Sequence, residues 1–222
     1  MSVTFTLINA RPSPYGRKVA IALIEKGLPY RVEYDVPWGG ETCTPQHSPL
    51  QQLPILLTMS GEKVYDSTYI LEWLERTYPD PPLLPADVAG ALHQKLVQML
   101  AERLMEIAQT LIFELQRPAP SNAWIDRQSR KIAGGLEALD GQIGSRRVGD
   151  DDQVMLGDIA IGSTLLCIEF VVSAGYSQDL DVFRWRSRHP NLREYIEILE
   201  TRPSFRATGP EKMEVDIAAT MQ

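Results

Sequence analysis

Cysteine is nearly absent: the 222 residues hold two, Cys43 and Cys167. With no Cys-x-x-Cys pair and no Cys/His cluster, neither a redox dithiol nor a zinc site is suggested, and no metal is expected. Two lone thiols fit a reducing compartment. Histidine is scarce as well, and His47, His93 and His189 are scattered. No run of about eighteen apolar residues occurs, so no membrane span is expected. The start, Met1-Ser2-Val3-Thr4-Phe5, has no basic segment and enters a strand pattern at once. A signal peptide is therefore not expected, and the expected location is cytoplasmic. Positive charge is in deficit, with a formal net charge of -7. That disfavours nonspecific nucleic-acid binding as the main task. Gly-x-Ser-x-Gly and glycine-rich phosphate loops are missing, and no internal repeat or low-complexity tract is visible.

What is present is a soluble composition, 44% hydrophobic and 23% charged, long enough for two small cores. Residues 3–8 are apolar on both faces, as in a central buried strand. A helix follows from Pro14 to about Lys26, with Gly27 as its C-terminal cap. Residues 30–36 alternate like a strand, which completes a βαβ unit with parallel strands. Residues 37–52 are irregular and leave room for one short helix. Strands are expected at 54–58 and 63–65, then a helix at 67–77 with Ile70, Leu71 and Leu74 inward. That order is the thioredoxin-like one. Four prolines in residues 79–85 stop the helix and stiffen a connector. Beyond it only helices are expected. The 88–116 helix carries the period Leu92, Leu96, Met99, Leu100, Leu104, Ile107, Leu111. Others are expected at 122–143, at 157–174 (apolar all round) and at 191–201, the last closed by Arg202-Pro203. The expected organisation is a thioredoxin-like domain at 1–78, a linker at 79–87, an all-α domain at 88–210 and a tail at 211–222.

Three short segments carry chemistry. Ser13-Pro14 opens a helix directly after the first strand, where backbone N–H groups and the helix dipole favour an anion. A hydroxyl there can donate to a thiolate and lower its pKa. Lowering a thiol by one to two units asks for about 1.4–2.7 kcal/mol, within reach of one charge-assisted bond plus a helix terminus. Ser13 taken alone reads more readily as a plain helix cap. Gln52-Leu53-Pro54 precedes a strand, and Asp66-Ser67 opens the next helix. Ser67 would offer its hydroxyl and helix N–H groups to a carboxylate. Asp66 would accept from an ammonium.

The set Ser13-Pro14-Tyr15-Gly16-Arg17-Lys18-Val19, Gln52-Leu53-Pro54, Asp66-Ser67 and His189-Pro190-Asn191-Leu192…Arg202-Pro203-Ser204-Phe205 resembles the cytosolic glutathione S-transferases, bacterial and fungal members above all. The likeness runs from about Thr4 to Pro210. It implies a thioredoxin-like domain followed by an all-helical one, and a homodimer. It implies glutathione as substrate or cofactor, and conjugation to an apolar electrophilic small molecule. Isomerisation or ether cleavage with glutathione regenerated, or a non-catalytic binding member, are the alternatives. By resemblance Ser13 stabilises the thiolate. Pro54 follows a cis bond and presents the Leu53 backbone to the cysteinyl part, with Gln52 nearby. Asp66 and Ser67 hold the γ-glutamyl end, and Trp38 lies on the loop facing the glycine end. Tyr15, Met105 and Phe113 wall the second-substrate pocket. The family often has Asn-Pro-x-Gly where this chain has Ser48-Pro49-Leu50-Gln51, and Glu or Gln where it has Asp66. Asp158 in Leu156-Gly157-Asp158-Ile159-Ala160 matches the start of the family's buried central helix, where its role is in folding. Asp150-Asp151-Asp152 reads as a solvent-facing loop, as do Arg184, Arg186 and Arg188 around Trp185. Cys43 reads as an exposed bystander and Cys167 as a small core residue.

Overall fold

The computed structural model describes residues 5–37, 39–143 and 153–213. Strand β1 (Phe5–Asn9) leads into helix α1 (Pro14–Glu25) and strand β2 (Tyr30–Tyr34). After a short 3₁₀ turn at Thr44–Gln46 come β3 (Ile55–Thr58), β4 (Lys63–Tyr65) and α2 (Ser67–Thr77). The strands form one mixed sheet in the order β2-β1-β3-β4. β1 is parallel to β2, with Phe5 opposite Tyr30, and antiparallel to β3, with Leu7 opposite Leu56. β1 is central, which is why both of its faces are apolar. The helical part comprises α3 (Val88–Leu115), α4 (Asn122–Ile143), α5 (Leu156–Ser173), α6 (Trp185–Arg188), α7 (Pro190–Thr201) and α8 (Pro203–Ala207).

α1 is buried from Gly16 to Leu23 because it packs against both the sheet and α5. Gly27 ends the turn after it at φ +64, a conformation glycine adopts without penalty. α5 is long and apolar enough to cross a membrane by length and composition, but it is mostly buried inside the helical part, as its core. Its N-terminus is closed by Asp158, which accepts from the Met155 N–H (2.8 Å) and from the Tyr195 hydroxyl. The linker is stitched down by Lys26, which donates to the Tyr78 and Pro81 carbonyls and pairs with Glu75 at 2.7 Å. Glu75 in turn accepts from the Leu83 N–H.

Two expectations change. The buried face of α3 is Val97, Ala101, Leu104, Met105, Ala108, Leu111 and Ile112, whereas Leu92, Leu96 and Met99 are exposed. Small residues at 101 and 108 let α5 approach closely. Gln94 and Gln98 are buried with partners, Gln94 accepting from the Gly157 N–H and Gln98 donating to Glu102. An apolar-only count of the period misses such polar core positions. α7 does close at Arg202-Pro203, but it is not the last helix: Pro203 begins α8, in the position where its missing N–H costs nothing. The three arginines around Trp185 are ion-paired, Arg184 with Asp179, Arg186 with Glu169 and Glu200, and Arg188 with Asp181. Asp150-Asp151-Asp152 lies outside the described residues.

Gly162 marks where α5 meets α8. An alanine Cβ there would stand 2.3 Å from Phe205 Cε1 and 3.3 Å from Leu199 Cδ1. Gly162→Ala is expected to lower stability by about 1–3 kcal/mol, the usual cost of overpacking. Urea unfolding measures it, and an unchanged midpoint would contradict this packing.

Candidate active site

A cavity of about 670 Å³ opens where the N-termini of α1 and α2 face α3 and α5. Ser13, Gln52, Leu53, Asp66 and Ser67 line one side; Tyr15, Met105 and Phe113 line the other. Pro54 is buried behind Leu53 and is not part of the wall; the Leu53–Pro54 bond is cis. Trp38 lies outside the described residues.

Ser13 caps α1. Its Oγ accepts from the Gly16 N–H at 3.2 Å, which leaves the hydroxyl proton for a ligand. Cap and donor are thus compatible roles for one side chain. At α2 the roles differ from expectation. Asp66 is the capping residue, accepting from the N–H groups of Thr68 (2.9 Å) and Tyr69 (3.1 Å). Those two groups are therefore occupied. Ser67, the first residue of the helix, is 5% exposed and keeps its own hydroxyl and N–H. Asp66 sits at φ +69, ψ 122, a backbone state L-residues rarely take, and the cap holds it there.

The outer half of the cavity is more apolar. Tyr15 donates to Gln109 Oε1 at 3.3 Å. Burial, with the Glu106, Cys167 and Glu102 side chains adding to it, pushes its phenol up, so it stays protonated and keeps its bond to Gln109. Met105, Ile112 and Phe113 of α3 face Val171 and Tyr176 across the cavity. Tyr176 is tied to Met213, whose N–H donates to the phenol oxygen at 2.6 Å, so the chain after α8 returns to the rim. Cys167 is buried as expected, but it also lines the cavity, with Sγ 3.9 Å from the Pro12 carbonyl oxygen. Burial pushes its thiol up to about 12. At neutral pH it is a neutral wall atom, not a nucleophile.

Residue periodicity missed two features. Lys18, Glu102 and Thr68 also line the cavity, and Lys18 pairs with Glu102 in a nearly buried contact. Charged residues read from sequence are assigned to solvent, so this pair gives no signal. The second feature is Asp35, just past β2. Its carboxylate accepts from Thr42 Oγ1 (2.8 Å), Thr44 Oγ1 (2.6 Å), the N–H groups of Val36, Cys43 and Thr44, and Cys43 Sγ (3.3 Å). Cys43 is thus half-buried and engaged, not an exposed bystander. Asp35 closes the loop that brings Pro37, Ser48 and Gln51 to the cavity wall.

Partial burial opposes the Asp35 charge, but the bonds from Thr44, Thr42 and Cys43 outweigh it and bring the carboxyl from 3.8 down to about 2. A depressed carboxyl stabilises the fold above its unfolded value, and the contribution is lost as pH falls through the folded one. The parent is therefore expected to lose stability between about pH 4 and pH 2 more steeply than Asp35→Asn. Denaturant unfolding at stepped pH checks this; parallel profiles would contradict it.

Two family models match the chain: the glutathione S-transferase N-terminal domain over residues 7–82 and the C-terminal domain over residues 122–197. The uncharacterised GST-like protein YibF of Escherichia coli K12 is 30% identical over 209 residues, covering 93% of this chain and 98% of that one. A probable maleylacetoacetate isomerase 2 of Drosophila melanogaster is 26% identical, covering 87% and 82%. Among solved structures, a glutathione S-transferase of Methylobacterium radiotolerans in complex with glutathione sulfonate is 43% identical, with a TM-score of 0.85 over 96% of this chain and 97% of that one.

Proposed function

The chain belongs to the glutathione S-transferase family, and we propose that it conjugates the glutathione thiolate to an apolar electrophilic small molecule. The observation that carries the reading is the Ser13 hydroxyl, which opens α1 on the same cavity wall as Leu53 and Ser67. In this reading Ser13 donates to the sulfur, and the α1 N-terminus adds its dipole. The Leu53 backbone and Gln52 hold the cysteinyl part. Ser67 takes the γ-glutamyl carboxylate, and Asp66, which spends only one carboxylate oxygen on its cap, takes the ammonium. The glycine end lies toward the loop bearing Trp38. The electrophile lies against Met105, Phe113 and the ring of Tyr15. A second reading, glutathione used and regenerated in an isomerisation, is supported by the isomerase named among the relatives. Product analysis separates the two, since only transfer consumes glutathione.

The protein acts as a cytoplasmic homodimer in this proposal. Leu92, Leu96 and Met99 stand exposed at one-turn spacing along α3, an apolar stripe that a second copy would cover. Sedimentation of Leu96→Glu tests it: a monomer is expected where the parent is a dimer, and a parent that sediments as a monomer would refute the proposal.

Ser13→Ala is expected to leave glutathione affinity nearly intact while lowering kcat about tenfold to a hundredfold, the worth of one strong bond to an anion. Asp66→Asn keeps the cap but removes the charge; it is expected to raise the glutathione KM more than it lowers kcat. Steady-state kinetics over a panel of electrophiles decides both. Unchanged turnover in Ser13→Ala, or a kcat effect alone in Asp66→Asn, would overturn the corresponding role.

A further inference from the structure

Glu102 lies on α3, yet its carboxylate serves the two helices whose N-termini open on the cavity. One oxygen takes Lys18 Nζ of α1 and Gln98 Nε2 (3.0 Å); the other takes Thr68 Oγ1 of α2 at 2.9 Å. The Lys18 and Glu102 side chains are 3% and 13% exposed. Burial pushes the Lys18 ammonium down and Glu102 opposes that, so the cation needs this partner. Lys18 stands little more than a turn beyond Ser13, and Thr68 directly follows Ser67. With both oxygens engaged, Glu102 has little capacity left for a ligand. Its leverage is on the helices.

We propose that Glu102 is a positioning residue, a strut that holds Lys18 and Thr68 together and so sets the separation between the thiolate end at Ser13 and the γ-glutamyl end at Ser67. The proposal rests on the glutathione reading above. Without the strut, α1 keeps its place, because it is packed against the sheet and α5. The N-terminus of α2 loses its Thr68 tether to α3 and keeps, one turn further along, the pair between Glu72 and Lys95 of α3 at 2.6 Å. Glutathione then meets a site whose two ends no longer match its span, and binding weakens although every contacting side chain is still present.

Thr68→Val is the informative variant. It removes one bond, keeps the β-branched shape and leaves the Lys18–Glu102 pair intact. Calorimetry with glutathione is expected to show affinity lowered about three- to tenfold, the worth of one hydrogen bond, with the melting temperature nearly unchanged. Thr68→Ser restores the hydroxyl and is expected to restore affinity. Glu102→Gln combined with Thr68→Val is expected to bind no worse than Glu102→Gln alone, because both act through one link. Should Glu102→Gln fail to fold, the Val and Ser variants at position 68 carry the test by themselves. Normal affinity in Thr68→Val, no rescue by serine, or additive losses in the double variant would overturn the strut while leaving the glutathione reading intact. A parent protein that does not bind glutathione would overturn both.

Discussion

The burial of α1 is the constraint on which the rest of the structure depends. The helix is enclosed by the sheet and by α5, so its side chains from Gly16 to Leu23 have almost no access to water. Arg17 and Lys18 lie within that stretch, and Lys26 is buried at its end. An unpaired buried charge is costly, and the three cations meet that cost unequally. Arg17 is only partly satisfied: Nη2 donates to the Phe205 carbonyl of α8 at 3.1 Å and the guanidinium lies over the Phe205 ring, while Nε and Nη1 are buried without a partner among the described residues. Lys18 takes Glu102 of α3, and Lys26 takes Glu75 and two carbonyls of the linker region. At the far end Glu25 accepts from Arg202 at 3.1 Å and from Ser204. One helix thereby joins the sheet, the linker, α3 and the C-terminal helices.

The same burial builds the cavity. A helix held on all sides presents its N-terminus at a fixed place, and Ser13 is the residue found there. The hydroxyl needs no special chemistry of its own. In the proposed reaction its position beside a helix terminus held by packing would supply the electrostatics, so that a few bonds act without reorganisation. α2 is set against α1 by packing and, through Thr68–Glu102 and Glu72–Lys95, against α3. The cavity is thus framed by elements whose mutual placement is decided by buried charges, while its outer half is walled by ordinary apolar side chains.

Much of this was legible from the residues. Strand and helix periods located the elements of the sheet region, and proline and glycine marked their ends. The segments at Ser13, Gln52-Leu53 and Asp66-Ser67 do converge on one cavity. What stayed hidden has definite physical causes. The exposed Leu92, Leu96 and Met99 share a helical period with buried residues, and only partnered Gln94 and Gln98 reveal that the core face is rotated. α6 and α8 have 4 and 5 residues, too short for a period to register. Asp66 and Ser67 are both good caps, and the choice between them is made by a positive φ that residue type does not announce. Lys18–Glu102 and the Asp35 loop link residues far apart in the chain or in irregular backbone, where no spacing rule applies.

In the proposed function a glutathione sulfur rests at the α1 N-terminus as a thiolate held by the Ser13 hydroxyl. The most direct measurement is a pH titration of glutathione bound to the parent protein, followed by the ultraviolet absorption of the thiolate. The bound thiol is expected to titrate about one to two units below that of free glutathione, whose thiol lies at about 8.5 or above. A bound thiol that titrates where the free one does would contradict it.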